Sequence, residues 1–340
     1  MEKTILVTGG AGFIGAQTCL ELLKKGFEVV VVDNLCNASK ESLHRVEKLS
    51  GRSLKFYDID IRDREGRDKI FTENKIDSVI HFAALKAVGE SCHRPIEYYD
   101  NNLVGTLVLL EVRRAHDVKS IIFSSSATVY GLPKKLPLDE TCAGTTSPSP
   151  YGETKVIIER RLRDIEKADP SWNIVLLRYF NPIGADPSGE IGENPHGIPN
   201  NLRPYIGDVA IGKLDHLNVF GDDYPTKDGT CIRDYIHVVD LALGHIAAIE
   251  HCTKPGVHIY NLGTGVGYSV LDIVHTFEKA TGVKVPYVIA PRRDGDVPAC
   301  YASAEKAKKE LGWVAKYNLT DRCKDEWNWM QKNPNGYEEK

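Results

Sequence analysis

Residues 4–33 constrain the fold more than any other stretch. Thr4-Ile5-Leu6-Val7 is a short apolar run, followed at once by Thr8-Gly9-Gly10-Ala11-Gly12-Phe13-Ile14-Gly15. Helical spacing then holds from Gln17 to Lys25, with Cys19, Leu20, Leu22 and Leu23 apolar, and Gly26 fits the end of that helix. A second run, Val29-Val30-Val31-Val32, ends at Asp33. Strand, glycine-rich turn, helix, strand and terminal acid within about thirty residues predict a dinucleotide-binding βαβ unit. Gly9, Gly12 and Gly15 let backbone amides approach a pyrophosphate at a helix N-terminus, where the helix dipole favours anions. Asp33 stands where a carboxylate accepts ribose hydroxyls and repels a 2′-phosphate, so NAD is expected over NADP. The competing reading is a tight turn in a purely structural βαβ unit, which the acid at Asp33 disfavours.

Strands and helices go on alternating to about residue 180. That pattern predicts an α/β fold, a doubly wound parallel (Rossmann) sheet with ligands at the carboxyl ends of its strands. A strand over 54–57 leads to Asp58-Ile59-Asp60-Ile61, where Asp60 either holds the adenine amino group or is a solvated loop carboxylate. The strand over 78–84 ends in small residues, Ala83 and Ala84, that let backbone pass close to the pyrophosphate. His81 reads as a packed strand residue, and Lys86 follows in a loop. A helix is expected from 98 to about 115; Asn101 near its start closes on the nicotinamide side or caps the helix.

The chemistry-bearing stretch is 124–155. An apolar strand runs out into Ser124-Ser125-Ser126-Ala127-Thr128-Val129-Tyr130-Gly131. A proline-broken loop then delivers Tyr151-Gly152-Glu153-Thr154-Lys155 onto the first turn of a long helix. Positions four apart share a helix face, so the Tyr151 phenol and the Lys155 ammonium converge. An adjacent ammonium and any further cation favour the phenolate; a shift of three units needs roughly 4 kcal/mol. With fifteen tyrosines in the chain the pattern can arise by chance, and Tyr130 and Lys134 repeat it. Pro133 between them forbids a regular helix, so that pair has no reason to share a face.

Proline, glycine and asparagine are dense over 182–230, which predicts loops that wrap a ligand. Regular structure resumes near 234, with a helix over 239–249, a strand over 257–261 and a helix near 270–280. Arg292 and Arg293 lie in a later loop, where they either pair with phosphate or sit as solvated charges. The division expected is an NAD-binding domain over 1–180 and a smaller α/β substrate domain over 181–340, with parts near 234–262 returning to the first. A net charge of −4 gives no electrostatic case for nucleic acid or an anionic membrane as partner. The eight cysteines contain no Cys-x-x-Cys pair, which argues against a zinc or redox dithiol site, and no metal is expected. With no signal peptide and no long apolar span recognised, the expectation is a cytoplasmic protein.

These features together resemble the extended short-chain dehydrogenase/reductase superfamily and, within it, the UDP-glucose (UDP-galactose) 4-epimerase family over nearly the whole chain. The matching segments are 8–15, 33–37, 81–91, 124–131, 151–155, 178–184, 197–202, 233–238 and 292–296. The resemblance implies that Ser126, Tyr151 and Lys155 are catalytic. It implies an NAD site with Phe13, Ile14, Asn34, Leu35, Cys36, Asn37, Asp60, Ile61, Phe82, Ala83, Ala84, Lys86 and Asn101 beside the glycines and Asp33. Tyr179, Phe180 and Asn181 would lie between cofactor and sugar, with Lys86, Ala127 and Thr128 also near the substrate. Asn200, Asn201, Leu202, Asn218, Val219, Phe220, Arg233, Arg293 and Asp296 would hold the UDP portion. It further implies a homodimer paired through the helices after Asn101 and Tyr151.

The implied reaction oxidises sugar carbon 4, turns the 4-keto sugar in the pocket and returns the hydride to its other face, with NAD regenerated. Dehydratases of similar fold carry an acid pair before the Val-Tyr-Gly segment; Ala127 and Thr128 stand there and disfavour elimination. Cys300 takes the place of a larger tyrosine at the pocket wall, which leaves room for a 2-acetamido group and predicts interconversion of UDP-GlcNAc and UDP-GalNAc as well. The alternatives are another NAD-dependent nucleotide-sugar enzyme (dehydratase, decarboxylase or dehydrogenase) and a non-catalytic NAD-binding scaffold.

Overall fold

A computed structural model describes residues 3–133, 135–142, 144, 146–195, 202–293 and 296–337. β1 (Thr4–Thr8) passes through the glycine turn into α1 (Phe13–Lys24) and β2 (Glu28–Asp33). Then come α2 (Glu41–Ser50), β3 (Lys55–Asp58), α3 (Arg64–Glu73) and β4 (Ser78–His81). The short helices α4 (Val88–His93) and α5 (Pro95–Tyr98) run into a π-helical turn, Tyr99–Val104, which α6 (Gly105–Ala115) continues. β5 (Ser120–Ser126), α7 (Pro150–Ala168) and β6 (Asn173–Tyr179) follow. Next are β7 (Asn181–Ile183), α8 (Leu202–Ala210), β8 (Leu217–Phe220), β9 (Ile232–Arg233), β10 (Tyr235–His237) and α9 (Val238–His251). β11 (Gly256–Leu262), β12 (Tyr268–Ser269), α10 (Val270–Thr281), β13 (Tyr287–Ala290), β14 (Ala299–Cys300), α11 (Glu305–Leu311) and α12 (Leu319–Lys332) complete the order.

Seven strands form one parallel sheet in the order β11-β6-β5-β4-β1-β2-β3. Helices cover both faces, so central strands are apolar throughout rather than alternating, as Val29 to Val32 show by being buried on both sides. The chain leaves β1 toward β2 and β3, then returns to β4 on the other flank, which opens a crevice above β1 and β4. β11 comes from the second half yet pairs with β6 at the sheet edge, and α9 lies against α1. A separate core, built on Ile206, Val219, Ile273, Val274 and Phe277, gathers α8, β8 and α10. No helix among the described residues is long and apolar enough to cross a membrane.

Two expectations need correction. The stretch 182–230 is not all loop, because α8 and β8 lie in it and bury Ile206, Leu217 and Val219 against the second core. The helix expected from residue 98 starts at Pro95, and Asn101 lies inside the π-helical turn. An N-cap role for Asn101 is thereby excluded; its Nδ2 donates to Asn102 Oδ1 at 2.9 Å.

Candidate active site

The glycine turn is built by steric necessity. A Cβ on Gly15 would lie 2.1 Å from the Gly9 carbonyl oxygen, and one on Gly9 would lie 2.7 Å from the Ala83 amide nitrogen. Gly12 differs: among the described residues a Cβ there meets only the Gly9 oxygen, at 3.4 Å, so its outer side faces open space. Gly12 is also the N-cap of α1 and offers no side-chain acceptor, leaving the first-turn amides free for an anion. Asp33 closes the turn from the neighbouring strand, accepting from Ala11 N at 3.1 Å and Leu35 N at 2.9 Å. Burial pushes its carboxyl pKa up. Leu35 is held at φ 55, a left-handed conformation that a non-glycine residue adopts only when its surroundings impose it.

The catalytic candidates meet at the carboxyl end of β5. Ser149 caps α7 by accepting from Gly152 N at 3.1 Å, and Pro150 occupies the first turn with its φ already suited to a helix. This start places Tyr151 and Lys155 one turn apart over the strand end. Lys155 is 3 % exposed, and its Nζ donates to the Ser124 carbonyl at 2.6 Å. The same nitrogen lies 4.8 Å from the Phe123 ring centroid and 5.9 Å from that of Tyr151. Ser126 Oγ accepts from Thr128 N at 3.2 Å, which leaves its own proton free to donate. Thr128 Oγ1 is buried with no hydrogen-bond partner among the described residues, a donor and acceptor available to a ligand hydroxyl.

The electrostatics of the chain alone differ from the expectation. Burial raises the Tyr151 pKa, and a hydrogen bond from Ser126 opposes the rise without reversing it. Burial also pushes the Lys155 ammonium down to about 7, so the lysine by itself does not acidify the phenol. The other tyrosine–lysine match does not form a site: the Tyr130 hydroxyl is buried against Asn261 Oδ1, and Lys134 lies outside the described residues.

Around the cofactor crevice, Asn34 Nδ2 donates to Asp60 Oδ2 at 2.9 Å, and Arg62 also binds that carboxylate. Cys36 and Asn37 are exposed, whereas Ile61 packs behind the crevice against Gly105. Ala83 and Ala84 are partly buried beside the turn, and Lys86 Nζ pairs with Glu193 Oε1 at 3.0 Å. Tyr179 turns into the core and donates its hydroxyl to His245 Nε2, because His245 Nδ1 already donates to the Leu241 carbonyl. Phe180 is buried with Val129 and Val156, and Ala127 and Cys300 pack against that cluster. Asn181 starts β7 and is partly buried.

At the far end, Asn218 and Phe220 project outward from β8 while Val219 faces the core. Asp296 is shared by Arg233 at 3.4 Å and Arg293 at 2.9 Å, and the Arg293 guanidinium lies 5.0 Å over the Phe220 ring. Arg292 is drawn aside to Asp223. Cys300 pairs with Arg233 in adjoining strands, and burial pushes its thiol up to about 11. Leu202 is partly buried at the start of α8; Asn200 and Asn201 lie outside the described residues.

Sequence reasoning missed His245, Asn102 and Asp234. His245 touches the Phe82 ring at 4.8 Å. Asn102 clamps both backbone groups of Leu85 and reaches Thr154. Asp234 accepts from Thr264, Gly265 and Ala302 and so ties the turn after β11 to the wall carrying Cys300. None has a local signal, since the contacts with Phe82, Leu85, Thr154, Thr264 and Ala302 join residues distant along the chain.

Residues 6–326 match the protein family described as GDP-mannose 4,6 dehydratase. The UDP-glucose 4-epimerase of Bacillus subtilis (strain 168) is 57 % identical over 335 residues, covering 98 % of both chains. That of Mus musculus is 56 % identical over 344 residues, covering 99 % of each. The crystal structure of UDP-glucose 4-epimerase from Bifidobacterium longum in complex with NAD+ and UDP superposes with a TM-score of 0.96 at 59 % identity, covering 98 % of this chain and 100 % of that one. With a nucleotide-sugar dehydratase family spanning the fold and epimerases sharing more than half of its residues, this chain belongs to the UDP-glucose 4-epimerase family.

Proposed function

We propose that this chain interconverts UDP-galactose and UDP-glucose, with NAD resident at the glycine turn and recycled in each turnover. The observation that carries the reading is the convergence of Ser126, Tyr151 and Lys155 at the end of β5, with Lys155 buried and fixed on Ser124. The donor set suits NAD: first-turn amides of α1, which Gly12 leaves without a side-chain cap, for a pyrophosphate, and the Asp33 carboxylate for ribose hydroxyls. When bound, NAD supplies the hydride acceptor for sugar carbon 4 and a positive ring that favours the Tyr151 phenolate. Tyr151 takes the proton of the 4-hydroxyl and later gives it back. Ser126 donates to the same oxygen, and Lys155 holds the ribose side while staying anchored to β5. Arg233 and Arg293 hold the UDP portion, so the oxidised sugar turns while its nucleotide stays fixed. Ala127 and Thr128 offer no acid or base for elimination, which separates this reading from a dehydratase.

Purified protein given UDP-galactose without added cofactor should form UDP-glucose. Build-up of NADH or of a keto sugar would instead identify a dehydrogenase, decarboxylase or dehydratase. Failure of NAD-loaded protein to convert the sugar would leave an NAD-binding scaffold.

A second reading widens the substrate class. Cys300 stands partly buried at the wall beside Phe180 and Ala127, and its small side chain leaves space for an N-acetyl group. UDP-GlcNAc and UDP-GalNAc are therefore substrates too. The protein works as a cytoplasmic homodimer paired through α6 and α7, a reading supported by eight free thiols and by exposed apolar Val104 and Leu107. Light scattering should report twice the 37.8 kDa chain mass.

A further inference from the structure

The helix that carries Tyr151 and Lys155 has a third member on the same face, Glu159, and the proposed reaction does not use it. Glu159 is 5 % exposed and points back into the protein. Its two carboxylate oxygens accept from Arg178 Nε at 2.9 Å and Nη2 at 2.7 Å, a bidentate pair. Ser125 Oγ donates to Oε1 at 2.6 Å. Arg178 is fully buried; its Nη1 donates to the Tyr130 hydroxyl and the Glu140 carbonyl, both at 3.2 Å. Tyr130 in turn donates to Asn261, which also binds the Leu138 carbonyl.

We infer that Glu159 and Arg178 are positioning residues that set the place of Tyr151, Lys155 and Ser126 relative to one another. The inference rests on the assignment of those three in the proposed function. Ser125 immediately precedes Ser126 and is directly opposite Arg178 in the β5–β6 register. Glu159 lies one turn beyond Lys155, and Arg178 immediately precedes Tyr179. One ion pair thus joins the ends of two strands, the catalytic helix and the loop from Tyr130 to Glu140. Burying two charges gives little net stability, because lost hydration offsets their attraction. A bidentate fork instead fixes direction and register, and transfer steps at the sugar oxygen and carbon are sensitive to displacements of the order of 1 Å. Rotation of α7 about its axis pulls Glu159 from the Arg178 fork on β6, and slippage along β5 breaks its bond from Ser125.

The test uses Glu159→Gln and the apolar double variant Glu159→Leu/Arg178→Met. The double variant removes both charges together, so neither is left buried alone. For each, the thermal midpoint, bound NAD, KM and kcat for UDP-galactose are measured, with Asp-for-Glu rescue (Glu159→Asp) as the conservative control. The expected result is a folded, NAD-loaded protein whose KM stays within about threefold while kcat falls about 10- to 100-fold, with Glu159→Asp partly restored. The inference is overturned if either folded, NAD-loaded variant keeps wild-type kcat. It is equally overturned if kcat falls only in step with lost NAD or lost fold. Should the double variant not fold, Glu159→Gln alone decides by the same criteria. Wild-type turnover and a Tyr151→Phe variant test the underlying assignment separately, so failure of one is distinguishable from failure of the other.

Discussion

The Lys155 ammonium donates to the Ser124 carbonyl oxygen at 2.6 Å, two residues before Ser126 on the same strand. The bond ties the first turns of α7 to the end of β5. The same nitrogen lies 4.8 Å from the Phe123 ring centroid and 5.9 Å from that of Tyr151.

On the proposed assignment, replacing Tyr151 by Phe removes the proton acceptor and the hydroxyl that Ser126 hydrogen-bonds, while the ring keeps its place on α7. Turnover should fall by about 10²–10⁴-fold or more, while NAD remains bound. Rapid-quench assay of product, alongside absorbance of the bound dinucleotide, checks both halves; surviving turnover would assign the base elsewhere.

The raised Tyr151 pKa sets a sign for pH dependence. In NAD-free protein the phenolate forms only above the ordinary tyrosine value of about 10. On the proposed reading, the positive ring of bound NAD would lower that value, so kcat should climb with pH along a limb that Tyr151→Phe lacks. Tyrosinate ultraviolet difference titration of loaded against stripped protein measures the displacement. Identical curves would show that the cofactor does not tune this phenol.

Gly12→Ala and Gly15→Ala should separate binding from folding. An alanine at Gly15 drives its Cβ into the Gly9 carbonyl at 2.1 Å, and stability should fall by about 1–3 kcal/mol. At Gly12 the φ of −72° suits any residue and the nearest atom is 3.4 Å away, so the stripped protein should keep its thermal midpoint while NAD retention weakens. Calorimetry with a count of bound NAD distinguishes the two.

His245 is buried as the neutral ring, with its pKa pushed down to about 4. Its unfolded value is near 6.5, so the unfolded chain binds the extra proton first as pH falls. Stability from this residue is therefore whole above about 6.5 and lost on acidification toward 4, by up to about 3 kcal/mol. Asp33 and Asp234 have raised pKa values and oppose that slope where they titrate. Urea midpoints for wild type and a Tyr179→Phe/His245→Phe pair should diverge at neutral pH and converge in acid; parallel curves would remove His245 from the account.

Cys300→Tyr should narrow the substrate range. Conversion of UDP-GlcNAc should drop about tenfold or more relative to UDP-glucose, because the added ring enlarges the wall that Cys300 shares with Phe180 and Ala127. A wild-type enzyme active only on the plain hexoses would defeat the reading of this wall.

Local order along the chain determined the glycine turn, the run Val29–Asp33 and the delivery of Tyr151 and Lys155 by Ser149 and Pro150. Each depends on neighbours within one or two turns, where periodicity, caps and backbone sterics act directly. Only the tertiary structure decided which distant groups meet. Tyr130 finds Asn261 across 131 residues, Tyr179 finds His245 across 66, and Arg178 finds Glu159 across 19. The π-helical turn at Asn101 and the docking of β11 on β6 belong with these. The reason is physical: a buried polar atom takes whatever partner the packed sheet brings within about 3 Å, and sequence spacing carries no record of that pairing.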